Sequence, residues 1–491
     1  MKKFFAVVFF LLAFAGSSKA NFDFNANCTE AYKLILALKL DQAKTLIEKE
    51  KKSHPANSII SLLENYVDFY TIFTTENESD FDRLKSKKSA RLRRIEKDDE
   101  RSPYYLFCQA EINIQWALTR ARFGEYYTAA LEINRAYGYL KENATKFPQF
   151  WPNNKNLGIL NIVLGNAPSG LRTVLNTFGI NADIKTGVNM MEQALTQLPA
   201  SDYSFFYDET ALYLSYVLND IVGDENAYAK TLKYLKPISD SCLLKSFVQG
   251  YICMKTAHNN EAISIFSARP SGGSYAPFKH IEYLLATAKL NRMDDDANLF
   301  FQKYLTNYKG SFNIKDSYMR LAWCGLLEGD LKKYQQNMTL VKSKGFDYND
   351  KDKHALKEAE QGVPDLYLLG ARLLYDGGYY DRALNVLKSK KITEQISEKD
   401  KLEYSYRMGR IFDGMKDYDK AIQYYTQTIN WGSGRQWYFA ANSSLSLGKI
   451  YENQKNFAKA KQYYQLCLDM KGHEYKNGID AKAKAGIKRL K

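Results

Sequence analysis

The chain has 491 residues, 45% hydrophobic and 25% charged, which allows a large core and excludes wholesale disorder. Its 69 Lys and Arg outweigh 55 Asp and Glu, a formal charge of +14 that selects no particular partner. Thirty-seven tyrosines against five tryptophans point either to helix-packing rings with wet hydroxyls or to a stacking surface for carbohydrate or peptide.

Residues 1–20, MKKFFAVVFFLLAFAGSSKA, begin with Lys2 and Lys3, run apolar from Phe4 to Ala15 and end in small residues. This is the three-part pattern of a secretory signal peptide, with cleavage after Ala20. The apolar run falls short of the roughly 20 residues a spanning helix needs, and no cysteine follows it directly to carry a lipid. Losing Lys2, Lys3 and Lys19 would lower the formal charge from +14 to +11. The expectation is an exported protein with no transmembrane segment in its mature chain. The periplasm is the first location, with secretion or the outer surface as alternatives.

Residues 21–145 read as N-terminal helical repeats. LALKLDQAKTLIEKEKKSHPAN (36–57) sets Leu40, Ala43 and Ile47 on one face and stops at Pro55. RFGEYYTAALEINRAYGYL (122–140) has a Gly-x-Tyr turn before Ala129. Between them the basic stretch 82–103 reads as a solvated, charged helix. Export and the lack of a recognised motif argue against nucleic acid as its partner.

Residues 146–200 interrupt the repeats with glycine and proline. Within them GNAPSGLRT (165–173) approaches the phosphate-loop spacing, but Leu171 stands where that loop needs lysine, and no strand precedes it. The better expectation is tightly packed helices. Gly158 and Gly165 share a face, Gly165-Asn166 closes a helix, and Pro168 starts a helix over 169–178 that ends at Gly179. Asp183 then caps Ile184 to Leu195, ahead of Pro199.

Residues 201–361 read as divergent helical repeats. GYICMKTAHNNEAISIF (250–266) and LLATAKLNRMDDDANLFFQKYL (284–305) each place a turn between paired helices, with Ala262 and Ala297 on the second. Asp294, Asp295 and Asp296 lack the spaced ligands of a calcium loop and are expected to cap a helix start. Residues 362–491 repeat openly: YLLGARLLYDGGYYDRALNVLKSK, YRMGRIFDGMKDYDKAIQYYTQTI and LSLGKIYENQKNFAKAKQYYQLCL align. Ala371, Gly409 and Gly448 correspond, and twelve residues later so do Ala383, Ala421 and Ala460. Small residues let the two helix axes approach closely, while Gly377-Gly378 and the Gly414 turn break the chain between them. Period 3.6 runs throughout and no alternating strand pattern occurs, so the fold class is all-α.

These positions resemble the tetratricopeptide repeat, with each unit four or five residues longer than its usual length of about 34. The resemblance implies a solenoid of helical hairpins, an α-α superhelix in which each repeat meets only its neighbours. A second resemblance rests on Asn156-Leu157-Gly158, Asn161, Leu164, Pro168, Leu175, Gly179, Gly187 and Leu195. They look like the signature of the tetratricopeptide repeat protein 39 family, which includes fungal inclusion-body clearance proteins and has exported bacterial relatives. It implies a scaffold without known catalysis and brings no catalytic residues.

No chemistry surfaces elsewhere. The five histidines form no close ligand pair, no G-x-S-x-G elbow occurs, and Lys279, His280 and Glu282 read as surface residues. The six cysteines form no CxxC pair and read as core residues, with a Cys242–Cys253 bridge conceivable in an oxidising compartment. The expectation is therefore a protein with no catalytic, cofactor or metal site. It would act as a binding or scaffolding protein of the bacterial cell envelope that holds a protein or peptide. A glycan- or nutrient-binding protein of the outer surface, or a hydrolase with a dispersed site, are the alternatives. Asn153, Lys155, Asn156 and Arg172 are the candidate interaction residues, as polar side chains beside the signature.

Overall fold

A computed structural model describes residues 22–167, 179–390 and 397–490, and no strand occurs among them. The first helices are α1 (Ala26–Leu36), α2 (Leu40–Ser53), α3 (Ile59–Thr75), α4 (Glu78–Lys85), α5 (Lys88–Ile95), α6 (Pro103–Arg122), α7 (Tyr126–Lys146) and α8 (Pro152–Gly165). Then come α9 (Ile184–Gln197), α10 (Tyr207–Val217), α11 (Ala227–Leu235), α12 (Leu243–Lys255), α13 (Asn259–Ala268), α14 (His280–Arg292) and α15 (Ala297–Asn307). The rest are α16 (Ile314–Leu327), α17 (Leu331–Ser343), α18 (Asp350–Glu358), α19 (Leu366–Asp376), α20 (Tyr380–Ser389), α21 (Glu398–Gly414), α22 (Tyr418–Gly432), α23 (Phe439–Asn453), α24 (Phe457–Asp469) and α25 (Lys476–Arg489).

One local device makes the hairpins. Leu38, Gly124, Ala257, Met293, Gly329, Gly378, Lys416 and Lys455 all have φ between 60° and 83°, and each stands in a turn between paired helices. The following amide bonds back to a carbonyl five residues earlier, as Tyr379 N does to Leu374 O at 2.8 Å and Asp417 N to Phe412 O at 2.9 Å. This is the Schellman closure, which satisfies last-turn carbonyls and reverses the chain. Only three of these residues are glycine, so a search for glycine misses most of the turns. In the repeat at 406–429 the break falls on Lys416, and Gly414 serves packing instead: a Cβ there would stand 2.6 Å from the Tyr380 ring. The α16–α17 hairpin, with Tyr334 at the alanine position of its second helix, lies within the divergent repeats at 201–361 but is not picked out as a pair by the repeat pattern.

The segment after α7 is helical where a phosphate loop would need a strand. Helix α8 ends at Gly165 with Asn166 as its cap residue, and α9 begins with the Asp183 side chain accepting from Thr186 N at 2.8 Å. The expected helix over 169–178 lies outside the described residues. Helices α8 and α9 cross at glycines: a Cβ on Gly187 would stand 2.5 Å from Gly158 O and 2.9 Å from Ile162 N. Backbone cannot yield as a flexible side chain can, so Gly187→Ala should cost about 1–3 kcal/mol, read as a lowered denaturant midpoint. A surface glycine such as Gly273, with open space around its would-be Cβ, is the control.

Nearest-neighbour packing dominates between the hairpins from α21 to α24, with a few returns to earlier helices, and fails upstream. Tyr32 on α1 bonds Glu209 on α10 at 2.6 Å, Tyr308 bonds Glu76 at 2.6 Å, and Ala276 N bonds Leu38 O at 2.7 Å. The N-terminal helices therefore fold back onto the middle of the chain. Two hydrophobic cores result and share α19, which gives Leu369 and Leu373 to the first and Leu368, Ala371 and Leu374 to the second. A contact between Asn453 and Glu225 at 3.0 Å brings the last repeats back against the α10–α11 connection.

Three further expectations are corrected. The basic stretch forms two short helices whose Lys88 and Arg91 are buried, paired with Glu132 and Asp68 at 2.5 Å each. Asp296 stands at the N-cap position of α15, but its side chain makes no cap hydrogen bond. It pairs with Lys289 at 2.8 Å, while Asp294 takes Arg292. His280 and Glu282 are largely buried and lie near Glu76 and Arg269 rather than at the surface. All six cysteines are free and buried. Cys242 and Cys253 stand at the cap and third turn of one helix, about 16 Å apart at 1.5 Å per residue, and cannot bridge.

Candidate functional site: a cation–aromatic ladder on the first helices of the repeats

The small residue of each first helix faces its partner helix, so a Cβ on Gly409 or Gly448 would strike the rings of Tyr425 or Tyr464. The next residue points about 100° away, toward the neighbouring repeats. These positions carry Trp323, Arg372, Arg410 and Lys449, following Ala322, Ala371, Gly409 and Gly448. The pattern recurs with the repeat, apart from the longer first interval, into which α18 is inserted.

Along this face each guanidinium lies over an aromatic ring of the preceding repeat. Arg372 is 5.0 Å from the Trp323 centroid, and Arg410 is 3.9 Å from Tyr375. Such stacking contributes about 0.5–2 kcal/mol according to exposure. Carboxylates flank the ladder: Asp316 holds Arg320 at 2.5 Å, Glu358 lies 3.4 Å from Arg372, and Asp376 lies 3.4 Å from Arg410. Across it the chain closes at one end, where the His354 ring and Tyr475 hydroxyl are 2.8 Å apart. The Lys357 ammonium lies 4.6 Å from the Tyr475 ring.

The surroundings are crowded yet wet. Burial, together with Arg320 and Lys255, pushes the Lys351 ammonium down to about 8 against the pull of Asp316, although the side chain still reaches solvent. Burial with the nearby Lys482 and Arg489 lowers Lys449, whose side chain is also exposed, and burial raises Asp413. The partly desolvated cations are Arg372 and Arg410, 23% and 27% exposed, and hydrogen bonds or ion pairs made to them gain strength. Arg410 and Lys449 are the most open rungs.

The candidate interaction residues lie elsewhere, and they lie inside. Asn153, Lys155 and Asn156 are 0–1% exposed and belong to the N-terminal core rather than to any open face, while Arg172 lies outside the described residues. Lys155 pairs with Glu209 and, at 3.0 Å, with Glu111, under the rings of Phe107, Phe206 and Tyr213. Asn156 donates to Glu111 at 2.6 Å, and Tyr32 and Tyr66 donate to Glu209 at 2.6 and 3.0 Å. Burial would raise Glu111, but the Lys155 charge and hydrogen bonds from Lys155, Asn156 and Gln115 hold it down. Burial, reinforced by Glu111, pushes Glu209 up, and its Oε1 finds no donor. Asn153 accepts from Asn143 at 2.9 Å, and Asn161 accepts from Asp183 N at 3.3 Å. The signature residues Asn156, Gly158, Asn161 and Gly187 thus act in packing and internal hydrogen bonding.

The sequence reading found the repeat and passed over the residue beside its small position. The signal was available, since Arg372, Arg410 and Lys449 recur at intervals of 38 and 39 residues. Among the described residues no group of three or more His, Cys, Asp or Glu is placed to hold a metal ion. No described helix is long and apolar enough to cross a membrane.

The tetratricopeptide repeat family model matches residues 402–431 and 441–473, the α21–α22 hairpin and the α23–α24 hairpin with its following turn. The chain therefore carries tetratricopeptide repeats in an all-helical scaffold of hairpins, a fold class used for protein interaction. None of the curated proteins matches it. Among solved structures it aligns with the crystal structure of the APC/C hetero-tetramer Cut9–Hcn1 at 12% identity, over 94% of this chain and 95% of that one. The TM-score of that alignment is 0.23, too low to support any statement about function.

Proposed function

We propose that the protein is a non-catalytic scaffold of the bacterial cell envelope, exported by residues 1–20 to the periplasm. It holds a protein or peptide segment along the ladder of Trp323, Arg372, Arg410 and Lys449. The observation that carries this reading is the recurrence of a cation on successive first helices, each guanidinium held over the preceding repeat's ring. Interior packing alone would favour an apolar residue there. The tetratricopeptide repeats support a protein partner, and the signal-peptide pattern supports export. The exposed rungs favour a polar, net-acidic segment, since each carboxylate that replaces water on a half-desolvated guanidinium gains a charge-assisted bond.

The test is photo-cross-linking of the mature protein in envelope extract. Arg410→Glu with Lys449→Glu should cut the captured partner about tenfold or more, and high salt should weaken capture as charges are screened. Undiminished capture by the double variant would move the binding face elsewhere.

A further inference from the structure

A second feature of the C-terminal repeats lies away from the ladder. Helix α20 has 10 residues, whereas α21 and α22 have 17 and 15. The helices align at one end, where Gly414 of α21 packs on Tyr380 of α20. At 1.5 Å per residue α21 then outruns α20 by about 10 Å. The first turns of α21 and the last turns of α22 thus project together beyond α20, with Leu402 against Gly432. Between them lies a cavity of about 590 Å³, within the roughly 300–1,000 Å³ typical of small-molecule sites.

Its lining combines rings with hydrogen-bonding groups. Leu402 is buried beneath, Tyr404 and Tyr424 stand at the sides, and Trp431 is 52% exposed at the mouth. The single Ser405 hydroxyl proton is shared between Tyr424 O at 3.1 Å and Gln427 Oε1 at 3.2 Å, and the Gln427 amide lines the cavity. Lys401 adds an ammonium, while the Glu398 carboxylate at the rim is held by Arg435 at 2.5 Å.

We propose that this cavity binds a saccharide, one or two rings of a neutral oligosaccharide with a C–H face laid on the Trp431 indole. A sugar ring presents an apolar face and a girdle of hydroxyls, which matches aromatic walls edged by an amide, an ammonium and a carboxylate. A purely hydrophobic ligand would bury Gln427 and Lys401 without partners. A peptide bound through its backbone would find here only the first amides of α21 and the last carbonyls of α22, and no open strand edge to run along. Glu398 is neutralised by Arg435, and the Lys401 ammonium is left to donate to a ligand oxygen such as a sugar hydroxyl. This goes beyond the scaffold reading and does not rest on it, because the ladder lies on another face.

The experiment is a titration of the mature chain with maltohexaose, cellohexaose and chitohexaose, followed by tryptophan fluorescence and calorimetry. At least one probe should bind saturably below about 10 mM, a weak single-site affinity. Trp431→Ala and Gln427→Ala should each weaken it about tenfold or more, the loss expected for one stacking or hydrogen-bonding partner. Both variants should keep their melting temperature, since Trp431 is half exposed and Gln427 sits at the cavity wall. Arg410→Glu should leave sugar binding unchanged. Failure of all three probes to bind, or binding that survives Trp431→Ala, would overturn the assignment.

Discussion

Replacing Lys155 by methionine should cost about 3–5 kcal/mol, the loss expected when one partner of a buried ion cluster is removed. The ammonium is fully buried and stands between Glu111 and Glu209, whose helices α6 and α10 it ties to α8. Tyr32 and Tyr66 bring α1 and α3 to the same carboxylate. Methionine fills a similar volume and keeps the contacts with Phe107 and Phe206, so the loss would come from uncompensated charge rather than from a cavity. Denaturant unfolding should show a large drop in midpoint. Adding Glu111→Gln and Glu209→Gln should recover part of it, because two neutral amides no longer repel each other in a dry site. A triple variant as unstable as the single one would mean that packing, not electrostatics, governs the centre.

Glu76 should make stability fall steeply in acid. Its carboxylate is buried at the left-handed end of α3, where Arg122 pairs with it and the Tyr308 hydroxyl donates at 2.6 Å. Burial would raise it, but Arg122 and His280 together hold it at about 2, below its ordinary 4.5. A depressed carboxyl stabilises fully above its unfolded value and loses that contribution as pH falls. The loss should therefore run from about pH 4.5 down through 2, amounting to about 3 kcal/mol. Glu76→Gln should show a similar loss already at pH 7 and a flatter profile between pH 4.5 and 2, read as unfolding midpoint against pH. The same residue carries a structural duty: its carbonyl accepts from Ser311 N at 3.0 Å and joins α3 to the α15–α16 connection. An unchanged pH profile in the glutamine variant would show that another acid governs this range.

The sequence carried the helical hairpins well, because their causes are local. Alanine and glycine at the paired positions, aromatic residues beside them and caps such as Asp365, Asp417 and Asn456 all act within one unit. Turns with a lysine or leucine in the left-handed conformation were harder to see, since the closing hydrogen bond, not the residue type, holds them. The α16–α17 unit was missed for a related reason: Tyr334 fills the place where the pattern seeks alanine.

The functional reading was legible in class and not in place. Asn153, Lys155 and Asn156 were singled out as polar residues in a distinctive segment, and polarity near a signature normally suggests a surface. A lysine buried among carboxylates has the same letters as one in water. What separates them is which helices arrive around it, and Tyr32, Tyr66, Glu111 and Glu209 are brought together from positions 32 to 209 by contacts that no local pattern encodes.

By itself, then, the sequence determined the all-helical character, most of the hairpins, the repeat and the close-packing glycine face of Gly158 and Gly165, because each follows from periodicity, capping or close approach over a few residues. Only the tertiary structure decided which polar residues are interior, that the N-terminal repeats fold back on the middle of the chain, and that Arg372 and Arg410 stack on the rings of preceding repeats. The physical reason is that burial, desolvation and ion pairing depend on neighbours distant in sequence, and the closing of Tyr308 on Glu76 or Asn453 on Glu225 is a property of the assembled chain.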